Sequence, residues 1–234
     1  MFGSQSGDFE NIYYDTDIHI IESNNIADFF HENSVNTIFD VGCGIGLHSK
    51  ELTKYGFIVD MLDISPSMLE ETKIRNPGLL AIQADISEYK SDKKFDAVIS
   101  IFITISYIID DDRIISALRN IYDSLREGGW FLFDVVNGIK ALSFFEKVIY
   151  EDIPKGVNIW EREIESTLSL MKGKGFFILN GKKTSDSQVW RYFTPAEIKL
   201  LLKAIGFTNV DIYGGYDRSP FKEEQNRLFV FAQK

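Results

Sequence analysis

The chain has 234 residues, of which 44% are hydrophobic and 14% aromatic, and its 35 acidic and 25 basic residues give a formal net charge of −10. That length suits one full α/β domain, or one domain with an elaboration, and the apolar content excludes global disorder. A chain of this charge repels phosphate backbones and anionic lipid, so nucleic acid and membrane surfaces are poor candidates as partners.

The chain contains one cysteine, Cys43. A single thiol excludes an internal disulfide and a cysteine-based zinc site. The first ten residues lack the basic flank and apolar run of a signal peptide, and the most apolar stretch, residues 97–109, is shorter than the roughly 20 residues of a membrane-spanning helix. These features predict a cytoplasmic protein. They leave the oligomeric state open, and a homodimer is compatible with them.

The first half of the chain alternates short apolar runs with segments of helical spacing. Each apolar run ends at an acidic residue or a glycine, which is typical of a strand that leads into a loop. Ser65 and Pro66 are typical of the N-cap and first residue of a helix. The predicted elements are a helix over residues 18–32, a strand over 36–42, a helix over 47–55, a strand over 57–63 and a strand over 79–85.

The second half begins with a predicted strand over residues 95–102. It is rich in β-branched residues and almost continuously apolar, as strands of parallel sheets are when both faces are covered. A helix follows from residue 110, and the glycine pair at 128–129 is predicted to end it. A fifth strand is predicted over residues 130–136. Five strands that alternate with helices indicate a doubly wound α/β sheet.

The pattern changes after the fifth strand. Residues 150–192 alternate with a period of two and contain glycine turns, which predicts antiparallel strands. We expect this segment to be an inserted layer over the carboxyl ends of the parallel strands, with residues 1–149 and 193–234 forming the main domain. The candidate strands cover residues 158–166, 168–172, 176–179 and 188–193.

A capping box marks the start of the last helix. Thr194 and Glu197 have the spacing of that motif, and the helix is predicted to run to Ile205. Two closing strands are predicted over residues 209–213 and 227–232. Together the elements predict an α/β fold: a doubly wound, mostly parallel, seven-stranded Rossmann-like sheet with a small antiparallel β insert before the last helix.

The strongest chemical signal is the spacing Asp40-x-Gly42-x-Gly44-x-Gly46 at the end of the first predicted strand. Glycines two apart let the backbone turn sharply and approach a ligand, and the following helix points its free amides at that ligand. The simplest alternative is a plain glycine-rich turn. A dinucleotide-binding turn is a rival, but its G-x-G-x-x-G fingerprint needs a glycine where this chain has Leu47.

This spacing resembles motif I of the class I S-adenosylmethionine-dependent methyltransferases. Asp63 ends the second strand, where that family places an acid that accepts hydrogen bonds from both ribose hydroxyls. Asp85 ends the third strand, where the family's acid faces the adenine amino group. The resemblance implies S-adenosyl-L-methionine as cofactor, S-adenosyl-L-homocysteine as its product, and a cofactor site formed by Asp40, Gly42, Cys43, Gly44, Asp63, Ile64, Met68, Asp85, Ile86, Ser100 and Ile101.

Within that family, residues 100–108 resemble the small-molecule N-methyltransferases that dimethylate amino sugars. The segment after the fourth strand faces the acceptor in that subgroup. So does a Tyr-Asp pair near the N-terminus, which Tyr14-Asp15 matches. The resemblance therefore implies that Tyr107 and Tyr14 position the acceptor.

Departures from other branches of the family agree with the charge. The chain has Ser100-Ile-Phe-Ile where methyltransferases acting on adenine in nucleic acids carry Asn/Asp-Pro-Pro-aromatic. Its cysteine lies in the cofactor loop, whereas cytosine-C5 enzymes need a Pro-Cys nucleophile. Metal-dependent catechol-type enzymes need clustered acids at a spacing that this chain lacks, so no metal ligand is predicted. The expected partner is a small molecule, with no nucleic acid and no membrane.

The implied reaction is methyl transfer to a small-molecule acceptor by proximity and orientation, and an amine is the expected acceptor. Three alternatives remain: O-methylation of a small molecule, a nucleotide-binding oxidoreductase, and a catalytically inactive cofactor-binding protein. Trp190 and Tyr192 share one face of an insert strand. That face either packs in the core or lines the acceptor pocket.

Overall fold

The protein folds around one central β-sheet with helices on both faces. The computed structural model describes residues 16–153, 156–179 and 181–234. The helices are α1 (Thr16–Glu32), α2 (Leu47–Lys54), α3 (Pro66–Arg75), α4 (Asp111–Ser124), α5 (Gly138–Ser143) and α6 (Pro195–Ile205), with 3₁₀ turns at Thr104–Tyr107 and Ser166–Leu168. The strands are β1 (Thr37–Val41), β2 (Ile58–Asp63), β3 (Leu80–Gln83), β4 (Phe95–Ser100), β5 (Leu125–Asn137), β6 (Val148–Ile153), β7 (Gly156–Glu165), β8 (Leu170–Leu179), β9 (Lys182–Phe193), β10 (Val210–Tyr213) and β11 (Arg227–Gln233).

Among the described residues, seven strands form the central sheet, in the order β3-β2-β1-β4-β5-β11-β10. The first five are parallel, and the last two are antiparallel to their neighbours. This order confirms the predicted doubly wound, mostly parallel sheet. It also places the carboxyl ends of β1, β2, β3 and β4 along one edge, where ligands bind in open α/β sheets.

Two hydrophobic cores lie on opposite faces of the sheet. Successive side chains of a strand point to opposite faces, so the neighbours Ile38 and Phe39 are both buried but belong to different cores. Residues of α4 and α6 cover one face, and residues of α1 cover the other. Burial on both faces explains why the parallel strands are almost continuously apolar in sequence.

The long strand β5 differs from its prediction. Helix α4 ends at Ser124, and β5 begins directly at Leu125, so the glycine pair does not end the helix. The pairing with β4 shifts between Leu125 and Trp130, and the intervening residues bulge from the ladder. Gly128 has a φ of 73°, and a Cβ on Gly129 would lie 2.9 Å from a backbone oxygen. The glycines therefore lie in a β-bulge inside the strand.

The insert is a four-stranded antiparallel sheet, β6 to β9. The segments predicted as two strands, 168–172 and 176–179, form the single strand β8. Gly173 and Gly175 lie inside it because indole rings occupy the space above them: an added Cβ would lie 2.7 Å from Trp190 at Gly173 and 2.7 Å from Trp160 at Gly175. These glycines permit close packing and do not form a turn.

The insert is joined to the central sheet through the end of β5. Beyond the point where β4 stops, Val136 pairs with Tyr192 and Asn137 pairs with Phe193, in parallel orientation. The residues that follow β9 then begin α6 with the predicted capping box, in which Thr194 and Glu197 bind each other's backbone N–H groups.

We expect Thr194→Ala to lower the free energy of unfolding by about 1 kcal/mol, because the N–H of Glu197 loses its acceptor. Urea denaturation measures the change. Leu200→Ala on the same helix is the matched control, since Leu200 is 72% exposed and Leu and Ala have similar helix propensities. Equal losses in the two variants would contradict a stabilising role for the cap.

Candidate functional site

The glycine loop between β1 and α2 is tightly held. Gly42, Gly44 and Gly46 have φ values of 77°, 55° and 76°, a region that favours glycine. Space is equally restrictive, because a Cβ on Gly42 would lie 2.2 Å from Thr104 Cγ2 and one on Gly46 would lie 2.5 Å from Asn76 Nδ2. The loop can therefore follow this path only with glycine at these positions.

Two neighbouring elements fix the loop. The N–H groups of Gly42 and Cys43 donate to the Leu62 carbonyl of β2, at 2.7 and 3.1 Å. From α3, the Thr72 hydroxyl donates to the Gly44 carbonyl at 2.7 Å. The loop is thus a rigid rim at the carboxyl edge of the sheet.

A cavity of about 360 Å³ opens beside this rim. Its volume lies in the range of small-molecule sites. Its walls come from the ends of β1 to β4 and from the start of α4. Nine of the residues that the sequence predicts for the site line it: Gly42, Gly44, Asp63, Ile64, Met68, Asp85, Ile86, Ile101 and Tyr107.

Asp63 ends β2 and is buried at the cavity wall. Its carboxylate accepts the Gly44 N–H at 2.8 Å and the Ser65 N–H at 2.8 Å. Burial raises the pKa of Asp63, and these backbone hydrogen bonds oppose the rise. A carboxylate offers about four acceptor positions, so Asp63 is oriented by these bonds and can still accept a hydrogen bond from a ligand.

Asp85 lies just beyond β3 at the opposite wall. It accepts the N–H of Ser87 at 2.8 Å and the hydroxyl of Ser87 at 2.6 Å, and it forms an ion pair with Arg113. Burial acts to raise the pKa of Asp85, but the Ser87 hydrogen bonds and the Arg113 charge outweigh it and lower the pKa. Arg113 was not identified from the sequence. Its position in the first turn of α4, just after the N-cap Asp110, was the signal that could have indicated it.

Three of the residues predicted to bind cofactor lie behind the cavity wall. Asp40 is buried and accepts the Ser49 hydroxyl at 2.5 Å, and burial raises its pKa to about 6. Ser100 is buried and donates to the Val41 carbonyl at 2.8 Å. Cys43 is buried in the loop, and burial raises the pKa of its thiol. Tyr14 lies outside the described residues.

The segment after β4 contacts the insert. The Tyr107 hydroxyl donates to Gln188 Oε1 at 3.1 Å, and burial raises the pKa of Tyr107 to about 12. Arg191 of β9 donates to the Ile109 carbonyl at 2.7 Å. Trp190 packs in a small apolar cluster that contains Ile103, Val136, Ala141, Ile164, Met171 and Tyr192. The insert therefore lies against the cavity segment that contains Tyr107.

A second group of polar residues, which sequence reasoning missed as a site, lies under the same segment. Asp134 of β5 is fully buried and accepts the N–H groups of Phe102 and Ile103, both at 2.9 Å. The Tyr216 hydroxyl and the Arg227 guanidinium donate to the same carboxylate, at 2.8 and 3.3 Å. Its only sequence signal was an acid inside an apolar strand.

Within residues 16–153, 156–179 and 181–234, no group of three or more His, Cys, Asp or Glu side chains is arranged to hold a metal ion. No helix in those same ranges is long and apolar enough to cross a membrane.

Comparisons with known proteins agree on one kind of domain. Residues 38–129 match the model of a methyltransferase domain. The chain is 27% identical over 206 residues to YqeM of Bacillus subtilis (strain 168), which is provisionally named a methyltransferase, and the match covers 84% of this chain and 83% of that one. It is 28% identical over 110 residues to the dTDP-3-amino-3,4,6-trideoxy-alpha-D-glucopyranose N,N-dimethyltransferase of Streptomyces venezuelae, and that match covers 46% of each chain.

The fold is shared with a solved structure. The S-adenosylmethionine-dependent methyltransferase from Clostridium acetobutylicum ATCC 824 superposes with a TM-score of 0.80 at 23% identity, over 91% of this chain and 90% of that chain. The matched domain begins in β1 and ends within β5, so it contains the glycine loop, Asp63 and Asp85. The sequence and fold comparisons agree: residues 38–129 form a methyltransferase domain, and the chain has the fold of an S-adenosylmethionine-dependent methyltransferase.

Proposed function

We propose that the cavity binds S-adenosylmethionine and that the protein methylates the amine of a small molecule. The cofactor assignment is carried by one observation: the glycine loop and two carboxylates, Asp63 and Asp85, line the same cavity. The loop lets the backbone approach the ligand closely, and the carboxylates accept hydrogen bonds from the ribose hydroxyls and the adenine amino group. A cavity of about 360 Å³ with this donor and acceptor set fits the cofactor.

The apolar walls have a complementary role in this proposal. Ile64, Met68 and Ile86 enclose the adenosine part of the ligand, and Ile101 lies at the methionine end. Asp40, Ser100 and Cys43 act indirectly, because they fix the ends of β1 and β4 and the loop between β1 and α2.

Bound S-adenosylmethionine supplies a methyl group on a sulfonium sulfur, which is already a good leaving group. The protein's residues therefore need to orient the acceptor and keep water out, and no nucleophilic side chain is required. Tyr107, with its pKa raised to about 12, keeps its proton at neutral pH. Its hydroxyl can position an acceptor by hydrogen bonding, and Tyr14 is proposed to act with it.

The insert, residues 150–192, supplies one wall of the acceptor site in this proposal. Its support is the contact of β9 with the segment after β4, through Gln188 and Arg191. Trp190 then borders the acceptor, whereas Tyr192 is buried and packs beneath it. Support for an amine acceptor comes from the relative named as an amino-sugar N,N-dimethyltransferase. The net charge of −10 favours a small molecule over nucleic acid.

We expect Asp63→Ala to weaken S-adenosylmethionine binding by about 10- to 100-fold, the scale of hydrogen bonds to a charged group. Isothermal titration measures the dissociation constant. Asp60→Ala is the matched control, because Asp60 is a buried acid on the same strand that pairs with Lys93 at 2.6 Å and does not line the cavity. Normal binding by a folded Asp63→Ala variant would sink the ribose assignment, and binding of reduced nicotinamide dinucleotide alone would favour an oxidoreductase.

The acceptor is tested with a panel of matched sugar nucleotides that carry either an amino group or a hydroxyl at the same carbon. We expect methyl transfer to the amine, detected by mass spectrometry as product mass and position. Methylation of the hydroxyl compound alone would establish an O-methyltransferase. Cofactor binding without transfer to any acceptor would favour a cofactor-binding protein.

Trp190→Ala should reduce acceptor turnover at least about tenfold, while S-adenosylmethionine affinity stays within a few-fold, because Trp190 borders the acceptor and not the cofactor cavity. Tyr150→Ala is the control, since Tyr150 lies on the same insert and is exposed. Unchanged turnover in a folded Trp190→Ala variant would contradict the pocket wall. A change from dimer to monomer with normal turnover would make the insert an oligomer contact.

Burial raises the pKa of Asp40 from 3.8 to about 6, so the folded protein binds this proton more readily than the unfolded chain does. The resulting stabilisation is present below the unfolded pKa and is lost as the pH rises through the folded pKa. Asp40→Asn does not titrate. We expect the variant's free energy of unfolding to rise relative to wild type by about 2 kcal/mol between about pH 4.5 and 7.5.

Urea denaturation at a series of pH values measures the difference between Asp40→Asn and wild type. Asp96→Asn is the control of opposite sign: burial acts to raise the pKa of Asp96, but backbone hydrogen bonds from Thr37 and Asn36 outweigh it and lower the pKa. That variant should lose stability relative to wild type as the pH rises. A difference for Asp40→Asn that does not vary with pH would show that Asp40 has an ordinary pKa.

A further inference from the structure

The turn that follows β4 has a strained backbone. Phe102 and Ile103 have φ values of 58° and 55°, in the left-handed region. A β-branched residue such as Ile103 rarely adopts it, and such conformations persist only where the surroundings impose them. The turn also lies at a boundary, because Phe102 lines the cofactor cavity and Ile103 packs against the apolar cluster that contains Met171 and Tyr192 of the insert.

The carboxylate of Asp134 imposes this conformation. Its Oδ1 accepts the Phe102 N–H and its Oδ2 accepts the Ile103 N–H, each at 2.9 Å, so both oxygens are fixed by consecutive peptide groups. The Tyr216 hydroxyl donates to Oδ1 and Arg227 donates to Oδ2. These four donors come from two different parts of the chain and surround one fully buried carboxylate.

The network extends from Asp134 to the helices that cover this part of the sheet. Arg227 also pairs with Glu22 of α1 at 2.8 Å, and Glu22 contacts His48 of α2 at 3.2 Å. The Arg227 guanidinium lies 5.1 Å from the centre of the Phe102 ring, so it supports the turn from its side-chain face as well. Elements α1, α2, β5 and β11 thereby converge on one turn.

Stability alone is a weak reason for such a network. Buried ion pairs are often no more stabilising than well-packed apolar residues, because both charges lose their hydration. Their better-attested contribution is to specify one arrangement. Here the arrangement specified is the position of two residues between the cofactor cavity and the insert.

We infer that Asp134 is a positioning residue for methyl transfer, which acts by holding the Phe102–Ile103 turn where cofactor cavity and insert meet. Tyr216 and Arg227 keep its carboxylate in place. The inference rests on the proposed function, since the turn is the wall between the methyl donor and the proposed acceptor site.

The test compares two isosteric substitutions, Asp134→Asn and Asp96→Asn. In Asp134→Asn, an amide nitrogen, which cannot accept a hydrogen bond, replaces one of the two oxygens that each accept a turn N–H, so one of these bonds is lost in either orientation of the amide. Asp96 is the control, because its carboxylate also accepts two consecutive backbone N–H groups, from Asn36 at 2.7 Å and Thr37 at 2.9 Å, but both donate to the same oxygen, Oδ2. It lies at the opposite end of β4, away from the cavity.

Two measurements distinguish positioning from general stability. Amide hydrogen exchange of the peptide that contains Phe102 and Ile103 should rise at least about tenfold in Asp134→Asn and remain unchanged in Asp96→Asn, because only the first loses an acceptor for that turn. Turnover of an amino-sugar nucleotide at saturating concentration should fall at least about tenfold in Asp134→Asn alone, with S-adenosylmethionine affinity within about threefold of wild type.

Unchanged exchange in Asp134→Asn would show that the carboxylate does not hold the turn. Raised exchange with normal turnover would show that the turn does not position the reaction. If wild type transfers no methyl group to any amine, the proposed function fails, and the exchange measurement separately decides whether Asp134 holds the turn. Should Asp134→Asn not fold, Tyr216→Phe removes one donor from Asp134 and leaves both turn bonds, so it should change both measurements in the same direction by a smaller factor.

Discussion

The site depends on one constraint: the chain must turn from β1 into α2 within a loop whose alternate positions adopt backbone conformations that favour glycine. Three glycines with positive φ make this turn, and the hydrogen bond from the Gly44 N–H to Asp63 fixes the loop to the end of β2. This bond orients the loop and the carboxylate together. The position of the loop relative to β2 and the orientation of the acid that faces the cavity are therefore linked by this contact, and the Gly42 and Cys43 N–H groups reinforce it by donating to the Leu62 carbonyl of β2.

Buried polar groups behind the cavity wall have hydrogen-bond partners as well defined as those of the residues that line the cavity. Ser49 holds Asp40, Ser100 holds the end of β1, and Asp134 holds the turn after β4. Each is buried, and each has its partner in a neighbouring element. Buried polar groups are costly unless they are paired, so their number here shows how much of this edge of the sheet is committed to a single geometry.

The sequence was sufficient for the central sheet because its signals are local. Apolar runs, caps such as Ser65 and Thr194, and the glycine loop each identify an element without knowledge of its neighbours. The misassigned glycines had a long-range cause instead. Gly173 and Gly175 make room for indoles from other strands, and the glycine pair before Trp130 forms a bulge against β4. Asp134 and Tyr216 are 82 positions apart, and single-sequence spacing contains no information about such a pair.

The pairing of β5 with β9 has a consequence for how small molecules enter and leave. Because the end of β9 is hydrogen-bonded into the same sheet that borders the cavity, the insert cannot swing away as a hinged lid without breaking the ladder at Val136 and Asn137. On the proposed function, exchange of ligands then relies on local motion of connecting segments beyond the fixed turn, such as residues 108–110, which line the cavity. In the proposed arrangement the insert is a fixed wall of the acceptor site, and access is controlled at its margin.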